Sequence, residues 1–125
     1  IKEVGAGIWV APNGLKVYEK LGIVQDIISA GKMLEKISVV DLNYKPISTV
    51  DGVKIRKKHK YSTLAVHRAA LQKILASHVP EGKIIINKKF KSYGQTERSV
   101  TAEFEDGTTA EADFLINATG IKSAA

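Results

Sequence analysis

His67-Arg68 follows the short apolar run Thr63-Leu-Ala-Val66 and precedes a helical period. An Arg at that junction sits at the C-terminal edge of a sheet, where α/β folds bind ligands. Its guanidinium can make paired hydrogen bonds to phosphate or ring oxygens. On position alone, an exposed helix-opening Arg is an equal reading. A second corner is Ala118-Thr119-Gly120, where the apolar run Phe114–Ala118 enters a Gly turn. Gly5-Ala6-Gly7 invites a dinucleotide-loop reading, since Gly lets a phosphate approach the backbone at a helix start. Only four residues precede it, however, and Val10 stands at the third Gly position, so a plain Gly-rich loop is favoured.

Other chemistries are poorly supplied. His59, His67 and His78 are not at metal-ligand spacing, and no Gly-x-Ser-x-Gly elbow exists. With no Cys, the chain has no disulfide, thiolate metal site, iron–sulfur cluster or cysteine nucleophile. Arg56-Lys-Lys-His-Lys60 and Lys88-Lys89-x-Lys91 could touch nucleic acid. No helix-turn-helix or RNA-binding signature accompanies them, so solvated loops are expected and nucleic acid is not.

The elements that must position these residues follow from periodicity. Ile8-Trp9-Val10 reads as a short extended piece, and Asn13 as a helix cap ahead of Leu15, Tyr18 and Leu21, with Gly22 as the stop. Ile23–Ala30 is a second short helix. Residues 37–42 alternate as a half-buried strand, Pro46 and Asp51-Gly52 mark turns, and Leu71, Ile74, Leu75 and His78 form one stripe of a helix ended by Pro80-Glu81-Gly82. Ile84-Ile85-Ile86 is expected as a strand buried on both faces, as in a parallel sheet, and Phe114–Ala118 as the final buried strand. Between them Phe90–Phe104 reads as a hairpin, and Asp106-Gly107 as a tight turn. The fold class is α/β with a mixed sheet, short helices and a β-hairpin.

The chain has 125 residues, a formal charge of +6 and 44% hydrophobic residues, which suits one globular domain. No apolar run approaches the ~20 residues of a membrane span. A cytoplasmic setting is expected. The opening Ile-Lys-Glu-Val-Gly and the apolar run at the other end suggest a piece of a larger chain.

Several motifs, taken together, resemble flavoprotein aromatic hydroxylases of the para-hydroxybenzoate hydroxylase type. They are Gly5-Ala-Gly7-Ile8-x-x-x-Pro12-Asn13-Gly14-Leu15, Leu21-Gly-Ile23, His67-Arg68-x-x-Leu71, Phe104-Glu-Asp-Gly107-Thr and Ala112-Asp-Phe-Leu-Ile-Asn-Ala-Thr-Gly120-Ile-Lys-Ser123. Their order and spacing match the family along nearly the whole chain. The resemblance implies a central fragment of an FAD/NAD(P)-binding fold, with the dinucleotide turn before Ile1 and the rest of the substrate domain after Ala125. Residues 1–34 and 62–125 would belong to the FAD-binding domain and 35–61 to the substrate-side sheet.

By resemblance, Arg68 matches a helix-opening Arg beside the flavin. Gly5, Gly7 and Asn13 match the loop and helix start near the cofactor, and Thr119-Gly120 matches an Asp-Gly motif that contacts FAD and NAD(P)H. Thr119 replaces the Asp and lacks its charge and acceptor pair, and Asn117 stands where the family favours Gly. The implied activity is hydroxylation of a small organic substrate, aromatic by the same resemblance, with NAD(P)H and O₂. The piece alone is expected to be inactive. A flavin reductase or dehydrogenase without oxygen activation, and a basic non-enzymatic binding module, are the alternatives.

Overall fold

The computed structural model describes residues 6–120. They fall into two units, Ile1–Glu81 and Gly82–Ala125, each with its own sheet structure.

In the first unit, alternation places Ile8 and Val10 of β1 (Gly7–Val10) on the same face as Leu64 and Val66 of β5 (Leu64–His67). The two strands pair antiparallel, and β2 (Gly31–Met33) pairs antiparallel with the other edge of β5, giving the order β1-β5-β2. Three helices cover the apolar face: α1 (Pro12–Lys20), α2 (Val24–Ser29) and α4 (Arg68–Ser77). Leu15, Ile27, Leu64, Val66 and Leu71 lie in this core with Tyr61, and Ile74 and Leu75 pack against it.

Helix α1 starts differently from expectation. Ala11 is the extended N-cap residue and Pro12 takes the first helical position, so Asn13 lies inside the first turn, and no side chain caps the helix. Its end matches expectation. Gly22 adopts φ +76°, its N–H donates to the Glu19 carbonyl, and the Ile23 N–H donates to that of Tyr18. This double closure satisfies two terminal carbonyls and turns Ile23 into the core.

A two-stranded ribbon, β3 (Lys36–Val40) and β4 (Pro46–Asp51), forms a second sheet. Asp41 closes its tip by accepting from the backbone N–H groups of Asn43 and Lys45, at 2.9 and 2.8 Å. Leu42 and Tyr44 project there, 99% and 85% exposed. The ribbon feeds α3 (Gly52–His59), so the basic run ends a helix and is not the loop expected. The Asp51 carboxylate accepts from the Lys54 N–H and caps it, turning an Asp-Gly turn signal into a helix start. A Cβ on Gly52 would overlap the Leu34 carbonyl oxygen. Gly52→Ala is therefore expected to unseat α3 and cost about 1–3 kcal/mol, read as a lower denaturation midpoint.

The second unit is a meander of β6 (Phe90–Gln95), β7 (Val100–Phe104) and β8 (Thr109–Ala112). Gly107, at φ +80°, makes the predicted Asp106-Gly107 turn. The α/β class stands, with the described strands distributed over three sheets that pair antiparallel throughout.

Two expected strands are absent. Ile84–Ile86 and Phe114–Ala118 are irregular, and Ile85 and Ile116 are 71% and 77% exposed. An apolar run becomes a strand only when a neighbour pairs its backbone groups, and no described strand pairs with either.

Ion pairs edge the meander. Lys88 Nζ lies 2.5 Å from Asp106 and Lys91 Nζ 2.6 Å from Glu103. The Lys88 ammonium, then the Thr108 hydroxyl and N–H, hold the Asp106 carboxyl far below its ordinary range. Lys91 and Ser92 lower Glu103. A depressed folded-state pKa stabilises above the unfolded value, and that contribution disappears as pH falls through the folded one. Acid titration followed by carboxyl NMR is expected to show Asp106 titrating last. In Asp106→Asn the meander should lose the larger share of this acid dependence and keep the part from Glu103.

Candidate functional site

Strand β5 carries the chain to Arg68. Gly7 is the register partner of His67, and the Arg68 N–H donates to the Ala6 carbonyl at 3.1 Å. The Gly-containing segment and the helix-opening Arg, some sixty residues apart in the chain (68 − 7 = 61), thus meet at one sheet edge. Asn13 lies beyond the other end of β1, in the first turn of α1. Gly5 lies outside the described residues.

This edge is open. No described residue stands within 4 Å of where a Gly7 Cβ would be. Arg68 is exposed and its side chain makes no hydrogen bond or ion pair among the described residues. No side chain caps α4 and no acidic residue lies in its first turn. An uncapped helix start beside an unpaired guanidinium and a bare backbone suits an oxygen-rich or negatively charged flat group.

The approach to β5 is fixed by polar contacts. Lys60, at φ +74°, pairs with Glu19 of α1, and this pairing lowers the Glu19 carboxyl. Burial, then the Glu19 hydrogen bond, raises the adjacent Tyr61 phenol. At the far end of α4, His78 Nε2 lies 2.8 Å from Asp26 of α2.

Thr119 and Gly120 belong to the second unit. The Asn117 side-chain oxygen accepts from the Thr119 N–H at 3.1 Å and from its hydroxyl at 2.7 Å. Gly120 has φ +86°, a conformation side chains resist. Thr119 borders a small cavity of about 120 Å³ with Phe90, Leu115, Ile116 and Asn117. A wider cleft of about 370 Å³ opens beside it, lined by Tyr93, Arg98, Asp113 and Phe114 among others.

Sequence reasoning passed over Trp9 and Lys32. Both stand opposite Ala65 in the register, on the face of the three-stranded sheet turned away from the core. Their juxtaposition depends on pairing between segments far apart in the chain, which local periodicity does not encode.

Comparison with known proteins gives the context. No family model matches the chain. The chain is 31% identical over 124 residues to the 3-amino-4-hydroxybenzoate 2-monooxygenase of Streptomyces cremeus, covering 96% of this chain and 31% of that enzyme. It is 31% identical over 123 residues to the salicylate hydroxylase of Pseudomonas putida, covering 98% of this chain and 28% of that one. Klebsiella pneumoniae HpxO, solved in complex with FAD and uric acid, superposes with a TM-score of 0.80 at 26% identity, over 96% of this chain and 31% of HpxO. The homologues are FAD-dependent aromatic hydroxylases and monooxygenases. The chain spans about 30% of the length of these relatives. No described helix is long and apolar enough to cross a membrane.

Proposed function

We propose that this chain is part of an FAD-dependent monooxygenase that hydroxylates a small aromatic compound, with NAD(P)H as reductant and O₂ as the oxygen source. The observation that carries the reading is the meeting of Gly7 and Arg68 at one open edge, in a fold shared with FAD-bound HpxO. Bound FAD would supply the redox chemistry: hydride acceptance and transfer of one oxygen atom to the substrate. Gly7 offers close backbone approach, and Arg68 offers a fixed positive charge and paired donors. Thr119 and Gly120 are assigned to the same cofactor, Gly120 for its turn and Thr119 for a hydroxyl. Gly5 and Asn13 are assigned to its neighbourhood.

Residues 1–34 and 62–125 are assigned to the cofactor-binding part and 35–61 to the substrate side. The chain's own residues bind, orient and exclude water, and this piece by itself is not expected to turn over. A cytoplasmic location is part of the same proposal.

The test is to purify the full-length protein that carries this chain and measure bound flavin, NAD(P)H oxidation and product. A colourless protein indifferent to added FAD overturns the reading. Thr119, in place of an acidic residue, favours one alternative: a flavin reductase that does not activate oxygen. Oxygen consumption coupled to hydroxylated product separates the two.

A further inference from the structure

Residues 36–59, the ribbon of β3 and β4 followed by α3, contribute no side chain to the hydrophobic core of their unit. The chain leaves that core and returns to it at one place. There the Leu34 N–H donates to the Thr63 carbonyl at 2.8 Å, and the Gly52 N–H donates to that of Glu35 at 2.8 Å. The ribbon and α3 thus hang on a neck of two crossings, residues 34–35 and 60–63.

The return crossing is strained at its first residue. Lys60 has φ +74° and ψ −34°, outside the left-handed region that non-glycine residues tolerate. Such a backbone persists only where its surroundings hold it, and such residues gather at clamps and switches. Here the holding groups are visible. The Lys60 ammonium pairs with Glu19 of α1 and stands 5.7 Å from the centre of the Tyr61 ring. Tyr61 is buried in the core, and the buried Ser62 turns its hydroxyl to Met33 Sδ of β2 at 3.7 Å. An exposed ion pair adds little to stability. This one, however, fastens the strained residue to a helix whose own Leu15 is fully buried. A tie of small energy and fixed geometry suits placement better than it suits holding the fold together.

We propose that Glu19 and Lys60 are positioning residues, whose pairing sets the angle at which the ribbon and α3 stand off the sheet that leads to Arg68. The inference rests on the proposed function for its consequence: residues 35–61 are the substrate side, and the pair fixes where that side stands against the cofactor edge. The placement itself is measured on the full-length protein with nitroxide labels on Asn43→Cys, at the ribbon tip, and Gln72→Cys, on α4. Both positions are exposed, and any cysteine outside this chain is replaced by serine. The parent is expected to give one narrow distance distribution. Glu19→Ala and Lys60→Ala should shift or broaden it, and Lys60→Arg, which keeps the charge, should retain it. Lys60→Gly relieves the backbone and drops the ammonium, so it should alter the distribution without lowering the melting temperature. FAD affinity should stay within about twofold in all four, because neither residue touches Arg68, while hydroxylated product per NAD(P)H oxidised falls wherever the distribution moves.

An unchanged distribution in Glu19→Ala, Lys60→Ala and Lys60→Gly overturns the proposal and leaves the flavoprotein reading intact. A moved distribution with unchanged product per NAD(P)H overturns the pair's part in the reaction. Absence of flavin from the parent protein overturns the flavoprotein reading, while the label distances still decide the placement. If Lys60→Ala does not fold, as judged by circular dichroism, Glu19→Ala decides in its stead.

Discussion

Replacing Arg68 with alanine is expected to weaken FAD binding by the full-length protein about ten- to hundredfold. A hydrogen bond from a charged donor contributes about 1.5–3 kcal/mol, and each ~1.4 kcal/mol is tenfold in affinity. The side chain is exposed and makes no hydrogen bond or ion pair among the described residues, so its removal breaks no polar contact there and should leave the melting temperature of the flavin-free protein almost unchanged. That separation makes the result informative. Arg68→Lys keeps the charge and loses the planar fork, and is expected to fall between the two. Flavin fluorescence titration measures all three proteins. An unchanged affinity in Arg68→Ala removes this residue from the cofactor site.

Leu64→Ala is the largest expected effect on stability. Leu64 is fully buried on the central strand of its sheet and stands among Val10, Leu15, Ile27 and Leu71 of the core. Truncation there removes transfer energy and leaves a void, at about 2–5 kcal/mol. Against a total stability of the order of 5–15 kcal/mol, this should lower the urea midpoint markedly. Ala65 is its contrast: it faces the other side of the same strand, and Ala65→Ser should change the midpoint little. Similar losses at both positions would contradict the inward and outward alternation of β5.

The elements legible in the sequence are those whose signals are local. Leu71, Ile74 and Leu75 announced α4, Gly22 the end of α1, and Asp106-Gly107 the turn of the meander. Arg68 was legible as a helix opener for the same reason. Asn13 misled because Pro12, with its fixed φ and missing N–H, claims the first helical position and moves the cap two residues upstream, to Ala11. Asp51-Gly52 misled because a carboxylate followed by Gly serves a turn and a helix start equally, and contact with Leu34 decides between them. Ile84–Ile86 and Phe114–Ala118 carry strand composition, but composition supplies no partner. The meeting of Gly7 with His67 and Arg68 is a long-range pairing. The family resemblance named Gly7 and Arg68 separately and did not pair them, and periodicity alone anticipated only the strand ends.

Because β5 is bonded to a strand on each side, the mount for Arg68 is stiffer than a surface helix start would otherwise be. Amide protons of Leu64 to Val66 should be among the slowest in their unit to exchange with deuterated solvent. A ligand arriving at the sheet edge then meets a guanidinium whose backbone is already fixed, and the ordering entropy of binding falls mainly on the incoming molecule.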